Sequence, residues 1–192
     1  MPAQLDSPDV ATVDNGAVHI LFVCTGNICR SPSAERLAAA IGNENAIPEF
    51  RASSAGTRAV IGHPVHPDAA RVLEGLGGDA AGFAARQLTA NIANDADLVI
   101  AMTKAHRDAV LELAPRQLHR TFTLTEAAQL VTEFDPADVK ELATLRSRLR
   151  AEQSPDVPDP IGQDQEFFDQ VGSQIAELVR PIIEFCRDVS SP

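Results

Sequence analysis

The sequence predicts an α/β protein in three layers, a four-stranded parallel sheet flanked by helices. Two observations carry that class. Four short runs rich in apolar and β-branched residues read as strands: AVHILFVC (residues 17–24), FRASSAG (50–56), DLVIAM (97–102) and HRTFTL (119–124). Stretches of helical composition separate each from the next, and alternation of that kind builds a parallel sheet covered on both faces. A third observation marks the working end. Ligands of such sheets lie beyond the carboxyl ends of the strands, and the first run ends at Cys24, in VCTGNICRSP.

The elements follow in order. Residues 1–16 have few apolar residues and several turn formers, and read as a mobile tail. Residues 17–192 are expected to form one domain, since 192 residues with 44% hydrophobic content suit a single core. After the first strand, SPSAERLAAAIG (31–42) opens with Ser31 as a capping residue and Pro32 at the first helical position. Residues 136–152 read as a helix with Val139, Leu142, Leu145 and Leu149 on one stripe, and with Arg146, Arg148 and Arg150 on a solvated face. QSPDVPDPIGQDQ (153–165) holds three prolines and is a loop by composition. Phe168, Val171, Ile175, Leu178 and Ile182 recur at three- and four-residue spacing, the mark of a last amphipathic helix that Pro181 should bend or interrupt.

Composition narrows the function. Asp plus Glu number 27 against 16 Lys plus Arg, so the net negative field disfavours nucleic acid and anionic lipid. No apolar run reaches membrane-spanning length, so no membrane insertion is expected. The first basic side chain is Arg30, so the start of the chain lacks the basic region of a secretory signal, and a cytoplasmic location is expected. Three cysteines make no disulfide framework. Cys24 and Cys29 have no second Cys or His pair nearby to complete a four-ligand zinc site, so no metal and no cofactor are expected. His63 and His66 are flanked by prolines and read as a loop and a helix start, and Cys186 reads as a buried small hydrophobe.

Cys24 and Arg30 enclose five residues, Thr25, Gly26, Asn27, Ile28 and Cys29, and Ser31 stands at the mouth of a helix. A helix N-terminus presents unpaired N–H groups and a partial positive charge, and a loop wrapped before it aims further N–H groups into one concavity. Such a nest fits a phosphate. Gly26 and Asn27 are the residues expected to take left-handed backbone angles there. The N–H groups, the helix end and Arg30 all favour the Cys24 thiolate, which can attack phosphorus. Arg30 can bind two equatorial oxygens through its planar fork. The Ser31 hydroxyl can hydrogen-bond the thiolate as it leaves. A Walker-type loop would need Gly-Lys-Ser/Thr, which is missing, so ATP binding is not expected.

The string VCTGNICRSPSAE closely resembles the signature loop of the low-molecular-weight protein tyrosine phosphatases. SSAGT (53–57), HPDAARVLEGLG (66–77), ARQLT (85–89), ADLVIAMT (96–103) and DPIG (159–162) extend the resemblance in family order, from about His19 to Cys186. The resemblance implies a phosphotyrosine phosphatase acting on a phosphorylated protein through a phosphoryl-cysteine. It implies Cys24 as nucleophile, Arg30 as the phosphate-binding arginine and Ser31 as helper at the thiolate. Asn27 and Ser54 match loop-bracing residues, and Asp97 matches a position that helps orient the arginine or its surroundings. Cys29 matches the second loop cysteine that can trap an oxidised nucleophile as a reversible disulfide. Asp159, before Pro160, resembles the family's general acid, with Asp156 the lesser candidate.

The chain departs from the family directly after that acid. Many members carry one or two aromatic residues there, whereas Ile161 and Gly162 follow here and the chain has no Tyr or Trp. Stacking on a substrate ring must be weaker or come from elsewhere, with Phe167 or Phe168 available unless they pack the last helix. Relatives acting on phosphoarginine tend to have threonine where Ile28 stands, so Ile28 points to aryl phosphates. Two alternatives share the fold: an arsenate reductase using an external small thiol, and a non-catalytic phosphate-binding module. The thioredoxin-coupled reductases need two more cysteines around residues 75–100, where there are none. An intact Cys24, Arg30 and Asp159 set argues against the module. None of this fixes an oligomeric state.

Overall fold

The structure, a computed structural model, describes residues 18–150 and 154–189. The predicted tail, residues 1–16, lies outside the described residues. Four parallel strands form one sheet in the order β2-β1-β3-β4: β1 (His19–Cys24), β2 (Arg51–Gly56), β3 (Leu98–Ala101) and β4 (Thr121–Thr123). All four coincide with the runs read from the sequence, trimmed by one to three residues at their ends. The helices are α1 (Arg30–Glu44), α2 (Pro67–Gly75), α3 (Ala90–Asn94), α4 (Lys104–Leu113), α5 (Leu124–Phe134), α6 (Val139–Leu145) and α7 (Gln165–Val189).

β1 is buried along its whole length because both faces are covered, which is why it reads as a continuous apolar run rather than an alternating one. Its side chains still alternate. Ile20 and Phe22, with Leu98, Ile100 and Phe122, pack against α1, α5 and α7 through Leu37, Leu130 and Ile175. Leu21 and Val23, with Val99, face the opposite layer and meet Ala93 of α3 and Val110 of α4. Phe22 and Phe122 have no exposed surface, and each stabilises the fold by about 2–3 kcal/mol. No helix among the described residues is long and apolar enough to cross a membrane.

Three local expectations are corrected. α1 begins at Arg30 with Cys29 as its N-cap, so Ser31 is a helical residue and does not cap. Pro32 is still tolerated because the first turn's N–H groups have no intrahelical partner. α7 runs through Pro181 without a break, held on either side by buried Val179, Ile182 and Ile183. The helix expected over 136–152 is shorter, Val139–Leu145, followed by a tight turn over Arg146–Arg148. Its arginines are not simply a solvated face. Arg146 lies 4.2 Å over the Phe122 ring, pairs with Glu126 at 2.7 Å and donates to the Thr121 carbonyl, tying this turn to the end of β4.

The sheet's order places β1 at its centre, with Cys24 paired to Gly56 across β2. A Cβ on Gly56 would collide with the Thr25 carbonyl oxygen and stand 3.0 Å from the Asn27 Cβ, so only glycine lets β2 and the loop after β1 approach this closely. Gly56→Ala is expected to cost about 1–3 kcal/mol in urea unfolding. Gly75→Ala, where an added Cβ meets nothing within 4 Å, serves as a control expected to leave the midpoint unchanged or raise it.

Candidate active site

The loop from Cys24 to Arg30 wraps the carboxyl end of β1 and runs directly into α1. Four of its carbonyls are engaged on the outside. Those of Cys24, Thr25, Gly26 and Ile28 accept from the amides of Thr57, Arg58, Val60 and His66 at 2.6–3.0 Å. In a trans peptide the carbonyl and the following N–H point in opposite directions. The amides of Thr25, Gly26, Asn27 and Cys29 therefore face into the loop, which is the anion nest the sequence predicts. Asn27 alone within it takes a left-handed backbone, at φ 55, so Gly26 does not share the role expected for it. A Cβ added at Gly26 would meet Ile28 and Val60 at ordinary van der Waals distance.

Asn27 has no exposed surface, and both polar atoms of its side chain are partnered. Its Nδ2 donates to Ser31 Oγ at 3.0 Å and to Ser54 Oγ at 2.8 Å, and its Oδ1 accepts from the Arg86 amide at 2.9 Å. Ser31 Oγ stands 2.9 Å from Cys24 Sγ. That oxygen accepts from Asn27, and with Cys24 as a thiolate, which can only accept, the Ser31 proton is the one that bridges to the sulfur. Ser54 in turn donates to Glu35 Oε2 at 2.6 Å, and the Arg86 Nε donates to the Ser54 carbonyl at 2.7 Å. Burial pushes the Glu35 carboxyl above its ordinary range, opposed by the Ser54 hydroxyl and by Arg36 and Arg86.

Arg30 is 4% exposed, and its guanidinium reaches across to the proline-rich loop. Nη1 donates to the Val157 carbonyl at 2.9 Å and Nη2 to Asp159 Oδ2 at 2.8 Å. That loop is pinned where it meets the sheet: the Val157 amide donates to the Met102 carbonyl at 2.9 Å, and Thr125 Oγ1 donates to the Pro155 carbonyl at 2.7 Å. Asp159 is thereby held over the nest, with half its side chain exposed. Asp156 serves elsewhere, accepting from the Lys104 amide at the start of α4.

Cys29 is buried among Val65, Ala69 and Phe168, and burial, with Cys24 and Asp159 adding to it, pushes its thiol up to about 12. Cys186 is buried as expected. His66 caps α2 and stacks on Phe168 at 5.2 Å between centroids, while Phe167 packs against the main core. Neither phenylalanine is therefore free to face a substrate, and the large apolar side chains exposed beside the nest and Asp159 are aliphatic: Val60, whose amide donates to the Gly26 carbonyl, and Ile161. Asp97 is not brought to the site. It lies at the opposite end of the sheet, where its Oδ2 accepts from the His19 amide at 2.9 Å, because a residue before β3 falls at the amino ends of parallel strands.

Residues 19–188 match the family described as low molecular weight phosphotyrosine protein phosphatase. The chain belongs to that family. Among curated relatives it is 40% identical over 102 residues to the low molecular weight protein-tyrosine-phosphatase Etp of Escherichia coli, a match covering 53% of this chain and 66% of that protein, just under two thirds. It is 36% identical over 132 residues to the probable low molecular weight protein-tyrosine-phosphatase EpsP of Ralstonia nicotianae, covering 68% of this chain and 85% of that one. The crystal structure of the T. tengcongensis low molecular weight protein tyrosine phosphatase superposes with a TM-score of 0.71 at 29% identity, over 88% of this chain and 99% of that one.

Three members of the site carried no assignment from sequence. Glu35 and Arg86 stand inside segments of the family pattern, but a charged residue there gives no sign of which neighbour it meets. His106 belongs to no motif. It is 7% exposed on the first turn of α4, with Nε2 2.8 Å from Thr25 Oγ1 and Nδ1 2.9 Å from Thr103 Oγ1. The available signal was spacing: His106 stands four residues before the apolar Val110, on the same face of α4, and both are buried. Burial first, then the Arg30 charge, lowers His106 from 6.5 to about 4. Below about pH 6.5 the unfolded chain takes up a proton that the folded ring refuses, so stability falls as pH drops toward about 4 and then levels. Urea unfolding at pH 7 and pH 4.5 is expected to show a loss about 1–3 kcal/mol larger in wild type than in His106→Gln.

Proposed function

We propose that the protein hydrolyses aryl phosphate monoesters, with phosphotyrosine in a phosphorylated protein as the substrate class, by way of a phosphoryl-cysteine. The observation that carries this reading is the convergence on one nest of the Cys24 sulfur, the Arg30 fork and the Asp159 carboxyl. Family membership supports it.

A phosphoryl group entering the nest meets the inward amides and competes with Asp159 for the Arg30 Nη2. Once Arg30 pairs with phosphoryl oxygens, the Asp159 carboxyl faces a like charge, the condition under which it holds a proton. The Cys24 thiolate attacks phosphorus, the S–P bond forms as the P–O bond to the aryl group breaks, and Asp159 gives its proton to the departing phenolate. Asp159 then takes a proton from the attacking water as the S–P bond breaks, and the released thiolate accepts the Ser31 hydrogen bond. Nucleophile, charge stabilisation and acid are all supplied by these side chains. The aliphatic surroundings of the mouth support weak contacts to a ring rather than stacking, and Ile28 supports an aryl ester over phosphoarginine.

The test is hydrolysis of p-nitrophenyl phosphate and phenyl phosphate in excess chelator by wild type, Cys24→Ser and Asp159→Asn. Turnover is expected to survive chelation and to vanish in Cys24→Ser. Asp159→Asn is expected to lose about 100-fold or more on phenyl phosphate and markedly less on p-nitrophenyl phosphate, whose leaving group needs no proton. Inactivity of reduced wild type toward both esters between mildly acidic and neutral pH would sink the reading. A phosphoarginine peptide hydrolysed faster than a phosphotyrosine one would overturn the substrate class.

A further inference from the structure

Thr25 follows the nucleophile, and its amide belongs to the nest, yet its side chain is tied to a different layer of the fold. Its Oγ1 stands 2.8 Å from Nε2 of His106 on α4, whose Nδ1 stands 2.9 Å from Thr103 Oγ1. Thr103 Oγ1 also accepts from the His106 amide at 3.2 Å, as the N-cap of α4. These three contacts allow two arrangements of the protons. The ring is neutral at working pH, because burial and Arg30 hold it near 4, with Asp159 and Asp156 acting weakly the other way. It therefore carries one proton.

With the proton on Nδ1, the ring donates to Thr103 Oγ1, the Thr25 hydroxyl donates to Nε2, and the Thr103 hydrogen is left over. With the proton on Nε2, Thr103 donates to Nδ1 and accepts from the backbone, and Nε2–H donates to Thr25 Oγ1. Both satisfy the ring, and the second is the one that an anion in the nest favours. It leaves one hydrogen unassigned, that of the Thr25 hydroxyl, on a residue between Cys24 and the nest, next to a ring close enough to feel both Arg30 and Asp159.

We propose that the Thr25 hydroxyl donates a hydrogen bond to an oxygen of the bound phosphate ester, and that His106, oriented by Thr103, is the positioning residue that turns it there. The inference rests on reading the nest as a phosphate-ester site and adds a side-chain donor to its backbone amides. A hydroxyl that accepts from Nε2–H keeps its own proton for the other directions around the oxygen. Such pre-orientation raises the worth of a single hydrogen bond to an anion.

The experiment compares wild type, Thr25→Val, Thr25→Ser, His106→Phe and the Thr25→Val/His106→Phe double variant. It measures kcat/KM on p-nitrophenyl phosphate, binding of inorganic phosphate by calorimetry, and thermal midpoints. Thr25→Val is nearly isosteric and is expected to lower kcat/KM and phosphate affinity by about tenfold to a hundredfold, with a midpoint lowered by a few degrees because the His106 Nε2–H loses its acceptor, the protein staying folded at the assay temperature. Thr25→Ser is expected to keep both within about threefold. His106→Phe is expected to weaken phosphate binding in wild type and to add nothing in the Thr25→Val background, since a residue acting through Thr25 has nothing left to position. Unchanged phosphate affinity in Thr25→Val, or failure of Thr25→Ser to restore it, would overturn the Thr25 assignment. An additive loss in the double variant would overturn the role of His106. The binding arm separates the two readings: an inactive wild type that still binds phosphate more tightly than Thr25→Val defeats hydrolysis and leaves the donor standing.

Discussion

The site depends on a buried asparagine that has left the ordinary backbone region. Asn27 accepts φ 55 at the turn of the loop, a conformation that costs most side chains energy, and its short amide offsets that cost by bonding locally on both sides. It is fully buried, so each of its three hydrogen bonds matters: an unmade one would leave a desolvated polar group. Through them it joins α1 at Ser31, β2 at Ser54 and the segment before α3 at Arg86. The loop's shape is thus set by side-chain bonds from three elements. The same amide donates to the Ser31 oxygen that bonds Cys24, so folding and chemistry share one group.

Charge is arranged against the grain of the whole molecule. A chain with a formal net charge of −11 presents an anion site, and it does so with fixed dipoles and one buried guanidinium rather than a field of surface cations. Arg30 is costly to bury alone, and its bonds to the Val157 carbonyl and Asp159 supply the partners such burial requires. Those bonds also fasten the proline-rich loop over the nest. One side chain therefore holds the acid in place and, in the proposed mechanism, gives up that bond when a phosphoryl group arrives.

The other layer contributes through α4. Its first turn is capped by Thr103, its third residue is turned inward, and the imidazole there touches Thr25, the residue after Cys24. Helices on both faces of the sheet thus reach the same loop: α1 by continuing from it, α4 by a side chain.

What the sequence determined by itself is local. The four strands were legible because a parallel strand buried on both faces is a short apolar run, and the loop was legible because a Cys and an Arg with five residues between them, standing between such a run and a helix, form one contiguous string. Asp159 was legible only through its likeness to a family element, since an Asp-Pro pair alone is a turn. Tertiary structure decided the rest. Asp97 follows a helix and precedes a strand, and only the parallel topology assigns that position to the far end of the sheet. Ser31 looked like a cap until α1 began one residue earlier, leaving its hydroxyl for Cys24. Arg146 looked solvated until the turn over 146–148 laid it on Phe122. His106 could not be chosen among the histidines, because its role is a contact across 81 positions of chain. Spacing along the sequence reports neighbours within a few residues, whereas the partners that orient a proton or share a charge are brought together by packing of the layers.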